Sequence, residues 1–77
     1  MEEHARAVLE YLATMEGHCA LPDIAMGTDI PVSTTIHSLE ALEELGYVTE
    51  QETAATPRCF CITELGRGVL QAERKGR

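Results

Sequence analysis

The stretch Ser33–Val48, "STTIHSLEALEELGYV", decides the reading of this chain. Stepping 100° per residue, Leu39, Leu42, Leu45 and Gly46 gather on one side of a helix, with Thr35 and Ser38 beside them. That side must pack inward. The opposite side displays Ser33, Ile36, His37, Glu40 and Glu44, with Glu43 on a flank, so a partner meets a hydroxyl-rich start and an acidic end. Ser33 is a good N-cap, and Gly46 supplies the left-handed stop before the apolar pair Tyr47 and Val48 begins a strand. The segment holds three glutamates and no lysine or arginine.

Working outward, Ala5, Val8, Leu9, Leu12 and Met15 follow the helical period, which predicts an amphipathic helix over 3–16 closed by Gly17. "HCAL" is a short extended piece. Pro22 and Asp23 suit the first turn of a second, short helix, "PDIAM", that ends near Gly27. After the central helix, "YVTEQE" reads as a strand, "TAATP" as a loop and "RCFCIT" as a strand pairing back in a hairpin. "ELGRGVLQAERK" forms the last helix, capped by Thr63, with Leu65, Val69 and Ala72 as its buried stripe. Gly66 and Gly68 each weaken it by about 1 kcal/mol relative to alanine.

The expected fold is therefore mainly α with a small β-sheet, an α+β domain in the order α-β-α-α-β-β-α. One domain fills residues 1–77, with a helix at about 33–46, a hairpin at about 47–63 and a last helix at about 63–75. The order and the phrases "IPVSTTIHSLEALEELGYV" and "CITELGRGVL" resemble winged helix-turn-helix transcriptional regulators of the broad group containing the MarR, ArsR and PadR families. The resemblance covers about residues 5 to 72. Its most specific features are "LEELGYV", which ends the third helix, and "TELG", which opens the last. The length matches small stand-alone members.

The resemblance implies double-stranded DNA as partner and a homodimer as the working form. It carries over Ser33, Thr34, Ile36, His37 and Ser38 as major-groove contacts and Arg58, at the wing, as a backbone contact. Tyr11 and the last helix are candidate dimer contacts. At 1.5 Å rise per residue, Glu44 lies about 16 Å from Ser33, so the acidic end can leave the groove while the polar end reads it.

Charge argues the other way. The 77 residues carry a formal net charge of −7. Residues 1–56 hold eleven carboxylates against Arg6, giving −10, and residues 57–77 hold five basic side chains against Glu64 and Glu73, giving +3. A strong duplex binder makes roughly six to ten phosphate contacts, and the whole chain has six basic residues. The alternative is an acidic winged helix that binds a basic protein, as an adaptor, an inhibitor or a mimic of DNA charge.

Cys59 and Cys61, two apart on a strand, share one face, while Phe60 and Ile62 share the other. In the resembling fold the strand holding His18 and Cys19 pairs beside them, so His18, Cys19, Cys59 and Cys61 form a candidate thiol or zinc cluster, although their spacing matches no standard zinc motif. Three cysteines cannot all pair within one chain, and reduced thiols are expected. No cofactor loop, dinucleotide fingerprint or oriented catalytic constellation is present, so the expectation is not an enzyme and no cofactor. The acidic, amphipathic N-terminus and the lack of a long apolar run predict a cytoplasmic protein that makes no membrane contact.

Overall fold

The structure is a computed structural model that describes residues 1–51 and 57–75. Helix α1 spans Glu3–Thr14, strand β1 Cys19–Ala20, α2 Leu21–Thr28, α3 Val32–Glu44, β2 Val48–Glu50, β3 Cys59–Ile62 and α4 Glu64–Lys75. The order is the one the sequence predicts, and the fold is the winged helix. Most of the predicted wing tip, "TAATP", lies outside the described residues.

Apolar spacing on the first three helices builds the core. Val8, Leu9, Leu12, Ile24, Leu39 and Leu42 are essentially inaccessible, and Phe60 and Val48 close the layer from the sheet. At the start of α1 the Glu2 carboxylate accepts the Ala5 N–H at 3.1 Å, meeting one of the orphan donors of the first turn. Between α2 and α3 the chain reverses at Asp29, whose φ of 56° is left-handed. A short acidic side chain tolerates that region better than most. The Ile30 N–H then bonds back to the Ala25 carbonyl at 3.2 Å, which fixes the turn of the helix pair.

Helix α3 starts two residues earlier than a Ser33 cap would set it, because Pro31 occupies the N-cap, with no side-chain cap bond. The proline's fixed φ prepares the helix, and Ser33 falls within the first turn. Thr35, wholly buried, donates its hydroxyl to the Pro31 carbonyl at 3.0 Å and to the Ile30 carbonyl at 3.3 Å. The far end closes on Gly46 at φ 82°. The Gly46 N–H reaches the Glu43 carbonyl at 3.0 Å and the Tyr47 N–H the Leu42 carbonyl at 2.9 Å, the paired bonds of a Schellman stop.

This stop is tied directly to α4. The Thr63 N–H donates to the Tyr47 carbonyl at 3.0 Å, the Thr63 hydroxyl donates to the Gly46 carbonyl at 2.7 Å, and the same hydroxyl oxygen accepts the Gly66 N–H at 3.1 Å. Thr63 thus caps α4 and anchors it to the end of α3. Helix α4 is also held to α1 by the Arg6–Glu73 ion pair at 2.9 Å and by Arg67 on the Ala13 carbonyl at 3.2 Å.

Two expectations about packing need correction. The buried residues of α4 are Gly66 and Leu70, whereas Leu65 is 56% exposed, Val69 half-buried and Ala72 exposed. Close approach of the helix backbone to Tyr47 selects the face that carries a glycine, which turns the Leu65 stripe outward. Leu45 is likewise 56% exposed, because the helix ends at Glu44 and the Schellman turn carries the chain off the core.

In the sheet β3 is central, with order β1-β3-β2 and both pairings antiparallel. The register sets Cys19 opposite Phe60 and Ala20 opposite Cys59 on one side, and Val48, Thr49 and Glu50 opposite Ile62, Cys61 and Phe60 on the other. Residues opposite one another share a face. Cys19, Val48, Glu50, Phe60 and Ile62 therefore occupy the inner face, and Ala20, Thr49, Cys59 and Cys61 the outer.

Candidate nucleic-acid interface

The side of α3 turned away from the core is largely the one the pattern predicted. Ser33 and His37 are exposed near its start, Thr34 and Ile36 are half-buried beside them, and Glu40, Glu43 and Glu44 are exposed further along. Ser38 is corrected: it is 6% exposed, turned inward with Thr35, Leu39 and Leu42, and is out of reach of any partner. No side-chain cap bond covers the first backbone N–H groups of α3, where Pro31, Val32 and Ser33 are exposed.

Arg58 occupies a less simple place. It stands immediately before β3, two residues ahead of Phe60, and its side chain lies over the ring of that residue. Its guanidinium carbon sits 5.2 Å from the Phe60 centroid, a cation–π stack. Its Nε donates to Glu50 Oε2 at 2.8 Å and its Nη2 to Glu50 Oε1 at 2.9 Å, a bidentate pair. The pairing lowers the Glu50 carboxyl from its ordinary value and raises the Arg58 guanidinium, with the charges of Glu40 and Glu43 on α3 adding to the latter. Glu50 is the partner of Arg58 that sequence reasoning missed. The only available signal was an acidic and a basic residue on facing strands of one hairpin, and the loop between them does not fix the register.

The thiols divide between faces. Cys19 lies on the core side and is 7% exposed, while Cys59 and Cys61 are partly accessible on the outer face. Burial pushes the Cys19 thiol up, with Asp23 and the two other thiols contributing. His18 is exposed and lines an open cavity with Tyr11, Met15, Cys19, Asp23 and Met26. Among the described residues no group of three or more His, Cys, Asp or Glu side chains is arranged to hold a metal ion. The β1–β3 register separates the proposed cluster, since it aligns Cys19 with Phe60 and not with either thiol of β3.

An exposed helix after a tight turn, followed by a two-stranded wing and a returning helix, defines a winged helix-turn-helix domain. Residues 3–52 match the IclR helix-turn-helix domain, and the chain belongs to that family of transcription-regulator domains. No curated protein matches the chain in sequence. Among solved structures, a MarR family regulator from Rhodococcus sp. RHA1 superposes with TM-score 0.86 at 17% identity, over 97% of this chain and 54% of that one. Bordetella bronchiseptica BpsR gives 0.84 at 22%, over 94% and 55%. A mutant of S. aureus MepR bound to an oligodeoxyribonucleotide gives 0.81 at 20%, over 94% and 54%. The chain spans about half the length of these structures.

Proposed function

We propose that this chain is a sequence-specific, cytoplasmic DNA-binding regulator that inserts the N-terminal half of α3 into the major groove and acts as a dimer. The observation that carries the reading is the exposed, uncapped start of α3, where Ser33 and His37 stand clear of the fold and Thr34 and Ile36 flank them. Side chains at the first turns of such a helix reach base edges, and its N–H groups and hydroxyls hold phosphates without needing charge. Glu40, Glu43 and Glu44 lie towards the other end, where a helix entering the groove tip-first leaves it. A dimer doubles the phosphate contacts and spaces two reading heads about one helical turn apart. The oligodeoxyribonucleotide bound to the MepR mutant supports the same use of the shared fold.

The test is a fluorescence anisotropy titration at low salt, with the oligomeric state fixed by light scattering, comparing duplexes from upstream of the chain's own gene with random duplex. A dimer that prefers none of them overturns the reading. The carboxylates around Arg58 favour a second reading, in which the acidic face of α3 and β2 docks a basic protein. That reading is favoured if duplex fails to bind while a basic protein binds and is weakened by Glu40→Gln and Glu43→Gln.

A further inference from the structure

We infer that Glu50 is a built-in competitor for Arg58, occupying the guanidinium edge that a DNA phosphate would otherwise take, so that duplex binding displaces it. The inference rests on the DNA reading above and adds a residue that sets affinity without touching DNA.

Arginine recognises carboxylate and phosphate with the same planar fork, so the two anions exclude one another at a given edge. Here the fork is engaged through Nε and Nη2 by both oxygens of one carboxylate. The arrangement is held from beneath, because the Phe60 ring under the guanidinium is 1% exposed and part of the core. It is also reachable from outside, since the side chains of Arg58 and Glu50 remain 39% and 27% exposed. Ion pairs this open to water are weak, so exchange of carboxylate for phosphate is accessible. Glu50 lies on the inner sheet face by virtue of the β2–β3 register, which sets it opposite Phe60. The pair is therefore a property of the hairpin and persists in the free protein. Glu40 and Glu43, close enough to act on Arg58, oppose the approach of a phosphate and make release of Glu50 the step that has to be compensated.

The test uses the full chain and the variants Glu50→Gln, Arg58→Ala, Glu40→Gln and the doubles with Arg58→Ala. Glu50→Gln is expected to tighten binding to specific and random duplex alike by roughly fivefold per site, with a salt slope steeper by about one. The gain should vanish in the Arg58→Ala background, whereas the smaller gain from Glu40→Gln, which leaves the fork engaged, should survive there. A Glu50→Gln gain that persists without Arg58, or no gain at all, overturns the inference. A second readout is independent of DNA. The Arg58 Nε–H resonance should be unmoved by inorganic phosphate in the wild type and shifted by it in Glu50→Gln, and in Glu50→Thr as a second, strand-compatible variant. No shift in either variant overturns the inference. If the shift occurs but no protein binds duplex, Glu50 competition stands and the DNA reading falls.

Discussion

Gly66 lies with its α-carbon against the carbonyl oxygen of Tyr47, leaving no room for a methyl group between them. That carbonyl cannot withdraw, because it also accepts the Thr63 N–H at 3.0 Å. The two glycines of α4 therefore respond to substitution in opposite directions. Gly68→Ala, which meets nothing within 4 Å, should stabilise by about 0.5–1 kcal/mol through helix propensity and a less free unfolded chain. Gly66→Ala should destabilise by about 1–3 kcal/mol through overpacking, despite the same propensity gain. Urea denaturation of both variants at equal slope checks the contrast.

Thr35→Val keeps the volume of a fully buried side chain and removes its hydroxyl from the Pro31 and Ile30 carbonyls. A loss of about 1 kcal/mol is expected, with faster hydrogen exchange confined to residues 29–35. A stability equal to wild type would mean that water replaces the hydroxyl at both carbonyls.

His37 is exposed one turn after Ser33, on the side of α3 that a groove would meet. His37→Ala should change which bases are preferred, at about 1–3 kcal/mol per position read, and leave affinity for random duplex nearly unchanged. Selection from a randomised duplex library with each protein separates the two effects.

The thiols should react unequally. Cys59 and Cys61 are partly accessible, while Cys19 is buried and its thiol is held protonated to higher pH. A thiolate-seeking reagent should modify the two outer cysteines in the native protein and the third only on unfolding, as read by intact mass against denaturant.

Stability in acid follows from the Glu50–Arg58 pair. Because the Glu50 carboxyl is lowered on folding, its contribution is present above the ordinary value of 4.5 and is lost as pH falls through the folded value. The difference in melting temperature between wild type and Glu50→Gln should therefore shrink below pH 4.5, while above it the wild type is the more stable. Both side chains are partly exposed, so the effect is small and falls further with added salt.

Element order was legible because each boundary carries its own local chemistry: the apolar period of α1, Pro22 at the start of α2, Gly46 after α3 and Thr63 before α4. The exposed start of α3 followed from the same period. What the sequence did not disclose depends on contacts distant along the chain. The phase of α4 follows Gly66, a residue with no side chain to announce a buried face, so the larger Leu65, Val69 and Ala72 suggested the wrong one. Ser38 and Leu45 sit at the edges of the apolar arc, where a small rotation or an early helix end decides burial. The pairing of Arg58 with Glu50 requires the hairpin register, and one residue of slip would carry either member to the other face.

The joint at Gly46, Tyr47 and Thr63 has a mechanical consequence. Helix α3 is fastened at the end remote from Ser33 and His37, and the fastener is shared with α4. Along its length α3 is packed against α1 and α2, so the shared fastener sets where α4 departs from the fold, as a hinge pin does, and leaves the start of α3 to the core. Thr63→Ala, which draws that pin, should speed hydrogen exchange in α4 while leaving α3 as protected as in the wild type.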